Sequence, residues 1–307
     1  MPCLDCIFCR LNGPYFVSLT MSSVKIIECP RDAMQGIKSF IPTEQKSRYL
    51  QALLGCGFDT LDFGSFVSPR AIPQMADTAK VLQGLDLSKT QTKLLAIVAN
   101  LRGAETALQH QGIDFIGYPF SISENFQMRN THKTIRQSMD VLSDILDRSK
   151  AQGVAVVTYL SMGFGNPYGD PWSPEIVAEW TQTLVDMGTE VISLSDTIGA
   201  ATPKVIGELF SALIPMFPKV EFGAHLHTAP GQWHEKVEAA YGAGCRRFDG
   251  AIQGFGGCPM AKDELTGNMP TEKLLSYFTQ KNIQHGIDSP RFESAYNKAS
   301  DIFLNYH

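Results

Sequence analysis

The sequence has no apolar run long enough to cross a membrane and no cluster of basic residues. Its 307 residues include 26 Lys and Arg against 31 Asp and Glu, which gives a formal net charge of -5 at pH 7. Nucleic-acid-binding domains carry a basic patch, and a membrane-spanning helix needs about 20 mostly apolar residues. The composition therefore predicts a soluble protein that binds neither nucleic acids nor membranes.

The sequence also lacks a secretion signal and a disulfide pattern. Its first twenty residues have no uninterrupted apolar core, and its seven cysteines are odd in number and scattered. We therefore expect a reducing, cytoplasmic location. Cys3, Cys6 and Cys9 have the spacing of cysteines in a zinc or iron–sulfur site, but no fourth cysteine follows at suitable spacing. Met21 is a second possible start that leads directly into the first predicted strand. We therefore predict that residues 1–23 are a dispensable or disordered extension.

Eight strand-like runs recur at intervals of roughly thirty residues, the size of a βα unit. The predicted strands are Val24–Glu28, Phe58–Phe63, Lys93–Ala99, Asp114–Tyr118, Val154–Leu160, Glu190–Ser195, Val220–His225 and Arg246–Ala251. The clearest predicted helices between them are Thr43–Gly55, Thr131–Gln152, Ser173–Gly188, Pro203–Phe217 and Gln232–Gly244. No G-x-G-x-x-G follows the first strand, so this alternation favours an α/β fold, a (β/α)8 TIM barrel, over a doubly wound open sheet. Residues 24–307 would form one domain with additional C-terminal helices from about residue 271, at Thr271–Gln280 and Ser289–Asn305.

In such a barrel the chemistry lies at the C-terminal ends of the strands. Polar residues follow several of the predicted strands, and we expect them to converge at one end of the barrel. They are Arg31, Asp32 and Gln35 after the first strand, Asp62 and Ser65 at the second, Ser195 and Asp196 at the sixth, and His225 and His227 at the seventh.

His225 and His227 are separated by one residue at the end of a predicted strand. Alternate side chains of a strand face the same way, so the two imidazoles can share a metal ion. Asp32 and Asn268 would add oxygen ligands, and this mixed set suits Mg²⁺ or Mn²⁺ better than zinc. Such an ion polarises a carbonyl or lowers the pKa of a bound hydroxyl. The alternative is two unrelated surface histidines.

Arg31 and Cys258 are the candidates for charge stabilisation and proton transfer. A permanent cation at Arg31 can stabilise a developing enolate, and a thiol on a Gly-rich loop can transfer a proton or act as a nucleophile. The alternatives are a surface ion pair between Arg31 and Asp32, a buried apolar role for Cys258 and a loop cap at Asp196. Gly256-Gly257 is also compatible with a simple turn or a phosphate-binding loop.

From about Val24 to about Glu272 the sequence resembles the hydroxymethylglutaryl-CoA lyases. The motifs that carry the resemblance occur in the family's order. They are Pro30-Arg31-Asp32-Ala33-Met34-Gln35, Ser65-Phe66-Val67-Ser68-Pro69-Arg70 with Pro73-Gln74-Met75, Ser193-Leu194-Ser195-Asp196-Thr197-Ile198-Gly199, His225-Leu226-His227, Gly256-Gly257-Cys258-Pro259 and Gly267-Asn268. The Arg-Asp and His-x-His pairs are shared with the wider superfamily that includes isopropylmalate and homocitrate synthases.

The resemblance implies a divalent-metal TIM barrel that cleaves 3-hydroxy-3-methylglutaryl-CoA to acetyl-CoA and acetoacetate, a reaction of leucine degradation and ketone-body formation. It also implies a homodimer. The implied metal ligands are Asp32, His225, His227 and Asn268, and the implied catalytic residues are Arg31, Asp32, Asp62, Asp196, His225 and Cys258. Substrate contacts are implied for Arg31, Gln35, Ser65, Ser193, Asp196 and Gly257, and CoA contacts for Ser123, Arg129 and Asn130.

The sequence departs from the family pattern around the substrate but not at the proposed metal ligands. Asp62 replaces the usual Glu, Gly36-Ile37 replaces Asn-Glu, and Thr228-Ala229-Pro230 replaces Asp-Thr-Tyr. Two other functions therefore stay open. One is a related aldolase or synthase that acts on another 3-hydroxyacyl-CoA or a 2-oxo acid. The other is a catalytically silent barrel that binds an acyl-CoA.

Overall fold

The computed structural model describes residues 23–257 and 266–306. The predictions for Cys258 and for the Cys3, Cys6 and Cys9 run therefore lie outside the described residues. Within these ranges the chain alternates strands and helices over its whole length.

Eight parallel strands close into a barrel in chain order, so the predicted TIM-barrel fold is confirmed. The barrel strands are β1 (Lys25–Glu28), β2 (Thr60–Ser65), β3 (Lys93–Ile97), β4 (Phe115–Ser121), β5 (Ala155–Ser161), β6 (Val191–Ser195), β7 (Glu221–His225) and β9 (Arg247–Gly250). Closure comes from β9, which pairs with β7 on one side and with β1 on the other. Buried apolar side chains such as Leu95, Val157 and Val191 fill part of the barrel.

Helices surround the barrel and connect consecutive strands. They are α1 (Pro30–Gln35), α2 (Thr43–Leu54), α3 (Thr78–Gln83), α4 (Leu101–Leu108), α5 (Glu124–Thr131), α6 (Ile135–Ala151), α7 (Pro174–Asp186), α8 (Pro203–Met216), α9 (Trp233–Gly242), α10 (Thr271–Gln280) and α11 (Ser289–Tyr306). The last two confirm the predicted C-terminal helices, and α11 packs on α2 through an edge contact between Phe303 and Tyr49. None of the described helices is long and apolar enough to span a membrane.

The prediction of a single helix over Thr131–Gln152 is wrong at its N-terminal end. The chain forms two helices there, because His132 adopts a left-handed conformation (φ 56°) and closes α5 through a hydrogen bond to Met128 O. Thr134 then starts α6 with a capping box in which its side chain and that of Gln137 bond to each other's backbone N–H groups.

Two very short strands, β8 (His227–Thr228) and β10 (Gly267–Asn268), form an antiparallel pair at the C-terminal end of β7. Asn268 lies directly opposite His227 in this pair. The pairing brings together two predicted metal ligands that are about forty residues apart in the sequence. This pair of strands was not predicted from the sequence.

Candidate active site

Helix α1 places Arg31 and Asp32 at the C-terminal end of β1, where both side chains are buried. Arg31 forms a bidentate pair with Asp62 from β2, in which Nε donates to Oδ1 at 3.1 Å and Nη2 donates to Oδ2 at 2.5 Å. Its Nη1 donates to Asp32 Oδ1 at 3.1 Å and to Gln35 Oε1 at 2.9 Å. The amide of Gln35 in turn donates to Asp32. All three guanidinium nitrogens are thus held by side chains, which fixes the orientation of the cation.

Burial and ion pairing set the charge of this group. Burial by itself lowers the pKa of Arg31, but Asp62 and Asp32 raise it above its ordinary value, so the guanidinium stays charged. Burial raises the pKa of Asp62 to about 6, against the opposing effect of Arg31. Burial also raises the pKa of Asp32, but Arg31 and the two histidines bring it below its ordinary value. Asp32 is therefore an ionised carboxylate at neutral pH.

His225 ends β7 and lies between two carboxylates. Its Nδ1 is 3.1 Å from Asp249 Oδ2, and its Nε2 is 3.9 Å from Asp32 Oδ2. Burial lowers the pKa of His225, but the hydrogen bond and charge of Asp249, together with Asp32, raise it overall. A carboxylate behind the imidazole is the arrangement that orients a metal-binding histidine.

Asp249 was not predicted from the sequence, because it lies inside strand β9 and not in the loop after it. The available signal was the alternation within the strand. Arg247 and Asp249 flank Phe248, and polar side chains at alternate positions of a barrel strand face the interior together. Both are buried in the structure.

His227 is buried, and neither of its ring nitrogens has a hydrogen-bond partner among the described residues. The backbone of Thr197 lies near the ring without reaching hydrogen-bond geometry. Burial, followed by the charge of His225, lowers the pKa of His227 to about 4. The ring is therefore neutral at physiological pH, and its free nitrogens are suited to a metal ion.

The predicted metal ligands converge in the structure. One donor atom each from Asp32, His225 and His227 lies within 4.8 Å of the others. Asn268 lies opposite His227, and its Nδ2 donates to Phe255 O at 2.9 Å. Its amide oxygen is therefore the atom that could bind a metal ion. The described residues thus contain a site that can hold a metal ion.

Asp196 is tied into the protein by a buried lysine that the sequence analysis missed. Lys236 on α9 donates from Nζ to Asp196 Oδ2 at 2.9 Å and to His227 O at 2.7 Å. The other oxygen of Asp196 accepts from Ala201 N at 2.9 Å. This contact caps the loop after β6, which was the alternative to a catalytic role for Asp196. Lys236 lies on a helix of mixed polarity, so nothing in the local pattern distinguishes it from a surface lysine.

The two predicted serines, Ser65 and Ser193, lie on the barrel strands β2 and β6. The Ser65 hydroxyl donates to Ile97 O and accepts from Val67 N, both at 3.2 Å, and so stabilises the turn after β2. Ser193 pairs with Gly223, two residues before the pair of Ser195 and His225. Ser193 therefore lies deeper in the barrel, and its buried hydroxyl has no partner in the described ranges.

The Gly-rich loop after β9 packs directly against α1. Gly256 and Gly257 have φ of 82° and 118°, backbone conformations that residues other than glycine rarely adopt. A Cβ atom at Gly256 would lie 2.6 Å from Asp32 O. Glycine is therefore required at position 256 for the loop to approach α1. Gly257 is the last described residue before Cys258.

The three candidate CoA contacts lie on or beside α5. Ser123 is buried, caps α5 by accepting from Phe126 N at 3.1 Å, and donates to Asp170. Arg129 lies over the ring of Tyr168 at 4.7 Å, and it is exposed together with the adjacent Asn130. Arg129 and Asn130 can therefore reach a ligand, whereas the Ser123 hydroxyl is already used in the fold.

Comparison with known proteins agrees with this geometry. A family model described as HMGL-like matches residues 23–298. This chain belongs to the HMGL-like family. It is 34% identical to the mitochondrial hydroxymethylglutaryl-CoA lyase of Bos taurus over 266 residues, which cover 86% of this chain and 81% of that protein. The resemblance inferred from the motifs is confirmed.

Two further relatives of this HMGL-like protein extend the comparison. It is 33% identical to the 3-hydroxy-3-isohexenylglutaryl-CoA/hydroxymethylglutaryl-CoA lyase of Pseudomonas aeruginosa, with 86% of this chain and 88% of that protein covered. The crystal structure of the HMG-CoA lyase from Brucella melitensis superposes with a TM-score of 0.85 at 30% identity. That match covers 92% of this chain and 99% of the other.

Proposed function

We propose that this protein is a divalent-metal-dependent carbon–carbon lyase that cleaves 3-hydroxy-3-methylglutaryl-CoA to acetyl-CoA and acetoacetate. The observation that carries the proposal is the buried cluster of Asp32, His225 and His227, with the fixed cation of Arg31 beside it, in a member of the HMGL-like family. A catalytically silent barrel has no need of an ionised carboxylate, two histidines and a guanidinium held together away from water.

We propose Mg²⁺ or Mn²⁺ as the metal, held by Asp32, His225, His227 and Asn268. The unpartnered nitrogens of His227 support this assignment, as does a donor set of oxygen and imidazole nitrogen without a thiolate. When bound, such an ion polarises carbonyl oxygens and makes a hydroxyl more acidic. Asp249 orients His225, and Lys236 fixes the backbone of His227, so both are positioning residues.

Arg31 provides charge stabilisation in the proposed reaction. The tertiary hydroxyl loses its proton to a base, and its oxygen becomes the ketone oxygen of acetoacetate as the bond between C2 and C3 breaks. The electron pair of that bond passes to the acetyl thioester as an enolate. Arg31 is held by Asp62 and Gln35 before substrate arrives, so it needs no reorganisation as that negative charge develops. The enolate then takes a proton, a step that the family resemblance assigns to Cys258.

One alternative substrate class is supported by particular observations. Asp62 is one methylene shorter than the family's usual Glu, and the exposed Gly36, which has no side chain, follows the Gln35 that contacts Arg31. The P. aeruginosa relative is named for a substrate with a longer 3-substituent. We therefore propose as the second candidate a 3-hydroxyglutaryl-CoA with a larger group at C3.

Homodimerisation and a cytoplasmic location remain predictions.

The decisive experiment measures acetoacetate released from 3-hydroxy-3-methylglutaryl-CoA by the purified protein. We expect release with Mg²⁺ or Mn²⁺, and its loss with EDTA. Arg31→Lys keeps the charge but not the bidentate geometry, so we expect turnover to fall about 100-fold or more, with a smaller change in KM. Arg129→Ala is the control, because Arg129 is exposed and contacts the ring of Tyr168 rather than Asp62 or Asp32, and it should affect KM at most.

Folded, metal-loaded protein that releases no acetoacetate would exclude the first substrate. Release of the corresponding 3-oxo acid from a C3-extended analogue would then support the second candidate. Activity that survives complete metal removal would contradict the metal-dependent mechanism for either substrate.

A further inference from the structure

A second group of potential metal ligands lies in the barrel interior beside the candidate active site. Donor atoms of Cys29, His225 and Asp249 lie within 4.8 Å of one another. Cys29 follows β1 directly, and Asp249 belongs to β9, the strand that pairs with β1. The proposed reaction uses His225 and, indirectly, Asp249, but it gives Cys29 no role.

This group contains polar atoms that the described residues leave unpaired. Asp249 is 3% exposed, yet its Oδ1 has no hydrogen-bond partner in the described part of the chain. Tyr159 is 7% exposed, its hydroxyl is likewise unpartnered there, and its ring lies 5.6 Å from that of His225. Buried polar atoms normally find a partner. A carboxylate oxygen and a phenol left without one next to a thiol therefore point to a ligand.

We propose that Cys29, His225 and Asp249 form a second metal site that binds Zn²⁺, and that zinc at this site inhibits the enzyme. A thiolate, an imidazole and a carboxylate are the donor types that zinc prefers, with a fourth position left for water or the Tyr159 hydroxyl. Mg²⁺ and Mn²⁺ favour oxygen ligands over a thiolate. The two neighbouring sites therefore differ in the class of metal they select.

Zinc at the second site disturbs the first because the two sites share the ring of His225. The Nε2 atom faces Asp32 and the first site, whereas the Nδ1 atom hydrogen-bonds to Asp249. Zinc at Nδ1 replaces the proton of that hydrogen bond, and zinc at Sγ replaces the thiol proton of Cys29. Asp249 then becomes a metal ligand and no longer orients His225 for the first site.

The charges around Cys29 favour a cation. Burial, followed by the negative charges of Asp249, Asp62 and Asp32, holds the pKa of the thiol well above its ordinary value. The same three carboxylates attract a divalent ion, against two buried guanidinium groups, that of Arg31, which pairs with Asp32 and Asp62, and that of Arg247, two residues before Asp249. The thiol therefore keeps its proton without metal, and the proton leaves to solvent when the ion takes its place on Sγ.

The test uses Co²⁺ as a spectroscopic probe for zinc, with the full-length protein saturated with Mg²⁺. Cobalt bound to a thiolate gives a near-ultraviolet charge-transfer band. We expect this band in the unchanged protein, its loss in Cys29→Ser, and its displacement by Zn²⁺. Cys56→Ser is the matched control, because Cys56 is also a buried free cysteine but lies outside the cluster. Every other cysteine is kept in all three proteins, so the difference reports Cys29 alone.

The inhibition arm rests on the proposed function, whereas the cobalt spectrum needs no substrate. With Mg²⁺ in excess, we expect the zinc concentration for half-inhibition of acetoacetate release to rise at least about 10-fold in Cys29→Ser. Equal inhibition of both proteins would overturn the inhibitory role. A cobalt band in a protein without lyase activity would refute the proposed function but not the metal site.

Two results would overturn the site itself. One is the absence of a charge-transfer band in folded, unchanged protein. The other is an undiminished band in Cys29→Ser. If that variant does not fold, alkylation of the unchanged protein decides: zinc should slow modification of Cys29 at least about 10-fold, relative to Cys56 and Cys245 in the same sample. Equal protection of all three cysteines would contradict the proposal.

Discussion

At the scale of single residues, the site depends on groups that hold the ligands as much as on the ligands. His225 and His227 were predictable because a spacing of two in a strand places side chains on one face. The partners of Asp249 and Lys236 were not, because these contacts join residues 24 and 40 positions apart in the sequence. A local sequence pattern indicates the type of a side chain but not the distant residue that it contacts.

Asp249→Asn tests the positioning of His225. The substitution keeps the shape of the side chain but removes the charge that orients the imidazole and raises its pKa. We expect Mn²⁺ affinity, measured by isothermal titration calorimetry, to fall about 10- to 100-fold.

Asp140→Asn supplies the control, because Asp140 is an exposed aspartate on α6 with the same chemistry and no contact with the site. Unchanged Mn²⁺ affinity in Asp249→Asn would show that the imidazole is held by packing alone. An equal loss in both variants would point to a general effect of net charge.

At the scale of elements, the alternation of strands and helices was predictable, whereas the short pieces that complete the site were not. The β8–β10 pair has two residues in each strand, which is too short for any periodic pattern. Its pairing is fixed by tertiary contact, since Met269 N donates to Leu226 O and Ala251 N donates to Met269 O. The register of His227 against Asn268 therefore becomes visible only in the folded molecule.

Glu28 connects three of these elements at the end of β1. Its carboxyl accepts from Ile252 N at 2.9 Å and from the Thr271 hydroxyl at 2.5 Å, which ties β1 to the loop after β9 and to the start of α10. The residue is completely buried, and burial raises its pKa from 4.5 to about 8. The folded protein therefore keeps a proton on Glu28 at neutral pH that the unfolded chain has released.

This difference predicts how stability depends on pH. Between pH 4.5 and about 8 the folded state holds one proton more than the unfolded state at Glu28. The contribution of Glu28 to the unfolding free energy should therefore fall as pH rises through this window, by on the order of 1 kcal/mol per pH unit. In Glu28→Gln, a neutral side chain of the same shape, that contribution should be absent.

The measurement is urea unfolding of both proteins at pH 5.5, 7 and 8.5, compared as a difference so that other titrating groups cancel. We expect Glu28→Gln to gain stability relative to the unchanged protein as pH rises. A difference that stays constant, or that shifts in favour of the unchanged protein at high pH, would mean that Glu28 is ionised in the fold.

At the scale of the whole molecule, the barrel collects negative charge at one end. Asp32, Asp62 and Asp249 are buried there, and Arg31 is the cation that pairs with two of them. The fold was predictable because strand and helix periodicities recur eight times, and because strand ends in a barrel meet at one face. The charge imbalance is a property of the closed barrel, in which side chains from distant strands share one interior.

His227 allows the relation between stability and metal binding to be measured, because its buried ring nitrogens are unpartnered in the described protein. An unsatisfied buried polar group costs about 1–3 kcal/mol. His227→Leu should therefore be at least as stable as the unchanged protein in EDTA. The unchanged protein at Mn²⁺ 100-fold above Kd should gain about 2.7 kcal/mol, seen as a rise in Tm of several degrees, and His227→Leu should gain nothing.

Thermal unfolding in EDTA and in Mn²⁺ gives both quantities from the same samples. His234→Leu is the control, since His234 lies on α9 and packs against Tyr277 away from the cluster, so it should keep the full metal-induced rise. A Mn²⁺-dependent rise that survives in His227→Leu would place the ion elsewhere. If the variant were less stable than the unchanged protein in EDTA, the His227 ring would be contributing to the fold as well as to the metal. The expected pattern, higher metal-free stability with no response to metal, would mean that the fold accepts a buried unpaired imidazole in order to keep a metal ligand.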